Sequence, residues 1–371
     1  MPANLPISGR CDERFAAVRK AFEQNFTERG DVGAALCLIV GDRVVIDLQG
    51  GWRDAARTRP WEADTVVNLW STTKGVGAIC FAILADRGLM AYDDLVADHW
   101  PAFAAEGKGG VTIAMLLSHQ AGLSGFAAAA SVADLLAGSA AADRLAAQAP
   151  LWEPGAGSGY HAISIGILAT ELFRRIEGRS LKLFVEEEIA GGLGLDIAIG
   201  LDPAEDRRRA EIIAPAELSS ANIGQLTAPQ IAALANPPLD PLLANTPAWR
   251  AADLVSANGH SNAAALAQLY ARFAGGQVSA RARAAATAPR IEGVDRVLGV
   301  DARWAAGFLL NADGIYGPNE AAFGHSGWGG SFAFADPTAD LAMSYTMNRM
   351  GTLLRGDPRN LALIEAVYSA M

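Results

Sequence analysis

Strand-forming sequence sits at the two ends of this chain and is nearly missing from its middle. Ala34-Ala35-Leu36-Cys37-Leu38-Ile39-Val40 and Val44-Val45-Ile46-Asp47-Leu48 are short apolar, β-rich runs joined through Gly41-Asp42-Arg43, a hairpin signal. Phe15 to Phe26, just before them, has the spacing of an amphipathic helix. Near the other end, Ala306 to Leu310, Ser331 to Ala335 and Leu341 to Met347 read as strands set apart by Gly-rich or Asp-Pro turns, and Leu361 to Ala370 closes the chain as a helix. Between them, residues 95–290 are Ala/Leu-rich with mostly helical periodicity. Strands need partners for their main-chain groups, so the terminal sets are expected to share one mixed sheet. The expectation is an α+β chain, with residues 1–95 and 290–371 forming the sheet domain and residues 96–289 inserted as a mostly helical domain.

The 371-residue length fits about two compact units. With 51% hydrophobic and 19% charged residues, the composition excludes a largely disordered chain. The formal charge of -10 repels phosphate backbones, so no nucleic-acid partner is expected. The longest apolar stretch, Val76 to Ala85, is broken by Gly77 and falls short of the ~20 residues of a membrane span, so no membrane partner is expected either. Cys11, Cys37 and Cys80 are sparse, odd in number and without a CxxC pair, which argues against a disulfide framework or a structural zinc site. Met1 to Phe15 shows no basic start followed by an apolar run, and the simplest expectation is a cytoplasmic protein. Glu186-Glu187-Glu188 reads as a solvated helix face, Arg207-Arg208-Arg209 as plain surface beside acidic residues, and Pro237-Pro238-Leu239-Asp240-Pro241 as a loop or hinge.

Most hydrolase signals fail. No serine carries glycine at both -2 and +2, there is no HExxH, and His99, His119, His161, His260 and His325 show no metal-ligand spacing. No GxxxxGK[ST] phosphate loop occurs, so neither a metal nor another cofactor is expected. One signal survives: Ser71-Thr72-Thr73-Lys74, leading into the apolar run from Val76. With 18 serines and 4 lysines, chance gives about 0.2 S-x-x-K matches. The bland alternative is an N-cap serine before a buried helix. A lysine in the first turn opposes the helix dipole, however, where a capping box would place Glu or Gln. The same placement suits catalysis, because residues i and i+3 share a face. Burial at the positive helix end lowers the lysine pKa, and the serine N–H at the helix start can point at a developing oxyanion.

Two further segments matter. Trp152-Glu153-Pro154-Gly155-Ala156-Gly157-Ser158-Gly159-Tyr160 places a tyrosine after a Gly-rich loop and before the helical pattern Ile163 to Ile176. Gly324-His325-Ser326-Gly327-Trp328-Gly329-Gly330-Ser331 opens onto strand-like residues; it reads either as a tight turn or as backbone that approaches a ligand closely.

In this order and spacing the three segments resemble the penicillin-recognising serine hydrolases, above all the class C β-lactamase-like branch that includes the family VIII carboxylesterases. The resemblance spans nearly the whole chain. Leu116-Leu117-Ser118-His119-Gln120-Ala121-Gly122-Leu123 is similar to that branch's LLSHxSGL segment, Pro154-Gly155 with Tyr160 to its PG…Y stretch, and Asp336-Pro337 with Leu341 to Asn348 to its closing strand. The resemblance implies an α/β sandwich of the β-lactamase/transpeptidase type: an antiparallel sheet flanked by the N- and C-terminal helices, an inserted helical domain, and an active site at their interface. It implies Ser71 as the acylated nucleophile, Lys74 as the group taking its proton, and Tyr160 as the partner in proton transfer. His325-Ser326-Gly327 falls where β-lactamases carry K-T-G and would contact substrate. The oxyanion hole would be the backbone N–H groups of Ser71 and Trp328, with Ser331 as the alternative second donor.

Two departures bear on substrate. Ala162 replaces the Asn of Y-x-N, removing an amide that would contact an acylamino side chain. His325 replaces the K-T-G lysine, so a fixed positive charge is lost; a neutral imidazole there could act as a hydrogen-bond donor near Tyr160. Both favour neutral esters over carboxylate-bearing lactams. Trp152, Phe126, Trp304 and Trp328 are aromatic candidates for an acyl pocket, Trp328 foremost. The expected activity is hydrolysis of short-chain acyl esters, small-molecule substrates, by a Ser-Lys-Tyr mechanism. The alternatives are a weak β-lactamase, an amide hydrolase or an acyltransferase of the same fold, and, from a different class, a non-catalytic ligand-binding sensor.

Overall fold

Two strands, Gly33–Val40 (β2), buried except at Val40, and the fully buried Leu341–Met347 (β12), join the ends of the chain. Their sequences, GAALCLIV and LAMSYTM, do not alternate sharply between apolar and polar, as expected for strands covered on both faces. They pair antiparallel from Leu341 opposite Val40 to Met347 opposite Ala34. This computed structural model describes residues 5–215 and 225–371. The large sheet has nine strands in the order β1-β3-β2-β12-β11-β10-β9-β8-β7, every adjacent pair antiparallel. The others are Ile7–Cys11 (β1), Arg43–Gly51 (β3), Ile291–Val294 (β7), Asp301–Trp304 (β8), Leu309–Leu310 (β9), Phe323–Ser326 (β10) and Phe332–Asp336 (β11). A small second sheet, order β4-β6-β5, is formed by Val67–Asn68 (β4), Ile197–Ile199 (β5) and Gly259–Ser261 (β6).

The two faces of β12 show how the sheet is covered. Tyr345 meets Phe22 of the helix Ala16–Thr27 (α1) edge-on at 6.5 Å, while the neighbouring Ser344 donates to the carbonyl of Ala263 at 2.5 Å, on the opposite face. The C-terminal helix packs beside α1, so the first and last helices flank one face as expected. The helix Thr73–Asp86 (α2) is apolar all round and buried from Thr73 to Leu84, the signature of an interior helix. Its glycines allow close neighbours: a Cβ at Gly75 would fall 1.8 Å from the Tyr270 hydroxyl, and one at Gly77 2.6 Å from Val255. This helix packs against β10 on one side and against Ser164–Glu177 (α3) of the helical region on the other.

Several expectations need adjustment. The helix Ala263–Gly275 (α4) falls in the stretch read as the helical insert, yet it packs on β2, β11 and β12 of the large sheet. The 95–290 stretch also contains β5 and β6, whose three-residue lengths leave no periodic signal. Of Ala306 to Leu310 only Leu309 and Leu310 form strand, and Gly324-His325-Ser326 belongs to a buried strand, which leaves the turn to residues 327–331. The acidic run at 186–188 faces outward with Glu187 and Glu188 paired to Arg179, and Arg208 and Arg209 are paired to acidic neighbours, so both remain surface features. The C-terminal helix is Pro358–Ala370 (α5), with Asp357 capping Arg359 N–H.

Candidate active site

Ser71 sits in a 3-10 turn, Trp70–Thr72, that runs directly into α2. Trp70 holds φ +48°, a left-handed backbone rarely adopted by a bulky residue and costing about 1–3 kcal/mol. Its surroundings impose it: the indole packs at 5.3 Å on Trp249 and 5.0 Å on Trp328, and the backbone N–H of Trp70 donates to Asn68 Oδ1 at 3.1 Å. The kink sets Ser71 at the helix mouth, where the residue keeps 8% exposure.

Lys74, one turn on, is buried and its Nζ has three partners: Ser71 Oγ at 2.9 Å and the main-chain carbonyls of Ala162 and Ser256 at 2.8 and 2.9 Å. Carbonyls only accept, so they consume two N–H bonds and leave the third direction of the amine on Ser71. No carboxylate pairs with Lys74 among the described residues, and burial pulls its pKa well below the usual lysine value. Ala162, which lacks the amide of Y-x-N, contributes here through its backbone.

Tyr160 closes the group from the loop before α3. Burial raises the pKa of its phenol, an effect the neighbouring Ser71 side chain partly offsets, so the phenol carries its proton at neutral pH. Its ring stacks on Trp304 (5.6 Å, 6° between planes), takes His119 edge-on at 5.0 Å, and has Lys74 Nζ 4.8 Å from its centroid. Its N–H is fixed by Asp295 Oδ1 at 2.8 Å. That fully buried carboxylate also accepts from Val297 N–H and Leu298 N–H at 2.9 Å and from Trp304 Nε1 at 3.2 Å. Asp295 thus aligns both the tyrosine and the indole it stacks on.

The expected K-T-G counterpart lies alongside. His325 is buried, its ring 6.1 Å from both Tyr160 and Trp304. Burial first, and the nearby Lys74 second, push its pKa down to about 3, so the imidazole is neutral. It is not a donor towards Tyr160, however: Nδ1–H is spent on the Ser326 carbonyl at 2.8 Å, which leaves Nε2 an acceptor without a partner. Ser326 Oγ pairs with the Tyr316 hydroxyl at 3.2 Å. Gly327 is required by space, since a Cβ would lie 2.2 Å from Ser331 Oγ and 2.3 Å from the Leu69 carbonyl. The strand end is thereby pressed against the turn bearing Ser71. Ser331 Oγ ties the two together, bonded to the Leu69 carbonyl at 2.7 Å and Thr72 Oγ1 at 2.9 Å. Among the described residues, the N–H groups of Ser71 and Trp328 have no turn, loop or side-chain acceptor.

Of the other aromatic candidates, Trp304 is buried beneath Tyr160, Phe126 lies under the Arg144 guanidinium, and Trp152 packs on Gly159 and His161. Trp328 is half-buried on Trp70. Asp295, Ser256 and Trp70 were not singled out from sequence: one acts through a lone carboxylate in an irregular loop, one through its carbonyl, and one through its φ angle. No group of His, Cys, Asp and Glu able to hold a metal occurs among the described residues. Nor does any described helix have the length and apolarity to cross a membrane.

Comparison with known proteins bears on the family and the fold. The sequence matches the Beta-lactamase family over residues 18–368. It is 34% identical over 366 residues to Esterase/beta-lactamase LipL of Mycobacterium tuberculosis, spanning 94% of this chain and 84% of LipL. A solved family VIII carboxylesterase superposes with TM-score 0.93 at 44% identity, covering 99% of this chain and 100% of that one. A penicillin-binding protein homologue from Caulobacter crescentus matches with the same TM-score, identity and coverage.

Proposed function

Because the chain belongs to the beta-lactamase family and brings an uncharged-prone lysine onto a helix-mouth serine, we propose that it is a serine carboxylesterase acting on short-chain acyl esters. The observation that carries the reading is Lys74 Nζ, bonded to Ser71 Oγ and to two carbonyls but, among the described residues, to no carboxylate. Ester hydrolysis is in keeping with the 44%-identical family VIII carboxylesterase and with LipL, an esterase/beta-lactamase. Ser71 attacks the ester carbonyl while the coupled Lys74–Tyr160 pair takes its proton. The N–H groups of Ser71 and Trp328 stabilise the tetrahedral oxyanion. Tyr160 returns a proton to the leaving alcohol, and water then attacks the acyl-serine by the reverse route.

A neutral His325 in place of a lysine favours uncharged esters over carboxylate-bearing lactams. The deciding measurement is kcat/KM for a short-chain nitrophenyl ester and for a chromogenic cephalosporin on one preparation. We expect the ester to be preferred by ~100-fold or more, ~2.7 kcal/mol in the transition state. A preference for the lactam overturns the carboxylesterase reading. Three free cysteines, two of them buried, fit a reducing compartment, and the cytoplasm is the location we propose.

A further inference from the structure

The loop that presents Trp328 N–H is anchored by a buried arginine. Arg359, at the start of α5, keeps 4% side-chain exposure and spends all five of its N–H bonds. Nε and Nη2 hold the two Asp357 oxygens at 2.9 and 2.8 Å, Nη1 donates to Asp31 Oδ1 at 2.6 Å and to the Arg349 carbonyl at 2.8 Å, and Nη2 donates to the Gly329 carbonyl at 2.5 Å. Asp31 in turn accepts from the Tyr345 hydroxyl.

The Gly329 carbonyl shares its peptide group with Gly330 N–H, which donates to the Gly327 carbonyl at 3.1 Å. The Gly327 carbonyl shares its peptide group with Trp328 N–H. A guanidinium is thus joined through two successive peptide groups to the N–H assigned to the oxyanion hole. A cation at the carbonyl end of such a chain polarises each peptide in the direction that strengthens its N–H as a donor. The loop is shaped to admit the arginine: Gly330 has φ +122°, and a Cβ there would fall 2.6 Å from Arg359 Nη2.

We infer that Arg359 is a positioning residue for acyl transfer, orienting and polarising the Gly329–Gly330 and Gly327–Trp328 peptides so that Trp328 N–H meets the developing oxyanion. This rests on the ester-hydrolase reading above. The test compares wild type, Arg359→Lys and Asp357→Asn, with active sites counted by exhaustive covalent labelling of Ser71 so that misfolded protein drops out. Measured are kcat and KM for a short-chain nitrophenyl ester, the affinity for a boronic acid that forms a tetrahedral adduct, and the infrared carbonyl stretch of the acyl-enzyme. Loss of a whole oxyanion donor costs about 10²–10³-fold in kcat, so a misaligned one in Arg359→Lys is expected to cost about 10–100-fold. KM should stay within about two-fold, boronate affinity should fall in step with kcat, and the acyl carbonyl should move to higher wavenumber. Asp357→Asn should shift all three the same way by less, and it decides the matter if Arg359→Lys does not fold. Wild-type kcat, boronate affinity and carbonyl stretch per labelled site in the folded variants overturn the inference while leaving the esterase intact. A wild-type protein with no ester turnover and no labelled Ser71 overturns the functional reading itself.

Discussion

Lys74 Nζ stands 2.9 Å from Ser71 Oγ, and the carbonyls of Ala162 and Ser256 occupy its other two hydrogen-bonding directions. Burial without a counter-ion disfavours the ammonium, and the two carbonyls orient the amine so that its lone pair can face the serine. Removing the serine leaves nothing to acylate, so Ser71→Ala should abolish turnover and covalent labelling. Lys74→Ala should lower kcat by about 10²–10⁴-fold, the usual worth of a positioned base. Burst kinetics with a nitrophenyl ester would separate the two, and an undiminished Ser71→Ala rules out Ser71 as nucleophile.

The same lysine sets a pH dependence of stability. Its folded-state pKa is depressed, so between that value and the ordinary lysine value near 10.5 the unfolded chain holds a proton that the native chain lacks. Stability therefore rises with pH across that window. Lys74→Met should flatten this dependence by about one proton, a slope of ~1.4 kcal/mol per pH unit. Chemical denaturation of both proteins from pH 7 to 10 measures it.

Buried histidines act at the acid end. His161 is held down to about 4 and His260 and His325 to about 3, in each case mainly by desolvation, and His119 lies well below its ordinary value. All are depressed cations-to-be, so their contribution is fully present above the unfolded value near 6.5 and is lost as pH falls towards 3–4. Several protons should be taken up on unfolding at pH 5. The apparent Tm should drop steeply from pH 6.5 downwards, and His161→Gln should make that drop shallower.

Asp295 organises the tyrosine from behind. Asp295→Ala strands Tyr160 N–H, Val297 N–H, Leu298 N–H and Trp304 Nε1, all of which it now accepts. With about 1–3 kcal/mol for each buried donor left unsatisfied, a loss of several kcal/mol is expected. Asp295→Asn preserves the shape and one acceptor oxygen, so it should fold and show a kcat decrease of about ten-fold or more with little change in KM, since Tyr160 is mispositioned rather than removed. Equal kcat in a folded Asp295→Asn protein would dismiss the positioning role.

Much of this was legible in the sequence, and the exceptions share a cause. The hairpin of β2 and β3, the closing strand β12 and the buried α2 announce themselves because long apolar runs leave a pattern. The edge strand Ile7–Cys11 contains Ser8, Gly9 and Arg10, faces solvent and leaves none, and β5 and β6 are too short to leave one. At the site, Ser71, Lys74 and Tyr160 declare themselves as side chains at motif spacing. What Ala162, Ser256 and Gly329 contribute is main-chain carbonyl oxygen, which every residue carries and no motif records. His325 shows the remaining gap: residue type gave its neutrality, but only geometry gave the nitrogen that is already occupied.

His325 also offers the sharpest test of substrate choice. Its Nδ1–H is held by the Ser326 carbonyl, so the unpartnered Nε2 presents a lone pair rather than a positive charge. A lone pair disfavours an incoming carboxylate, whereas an ammonium at the same strand position would attract one. His325→Lys should therefore raise the ratio of cephalosporin to nitrophenyl-ester kcat/KM, by about ten-fold if ~1.4 kcal/mol of the discrimination resides in that charge. A second cation so near Lys74 stabilises the neutral amine further, so the acidic limb of the pH–rate profile should move to lower pH. His325→Asn, neutral like the native residue, should leave the ratio close to that of the wild type. Equal ratios in the Lys and Asn variants would show that charge at this position does not set the preference.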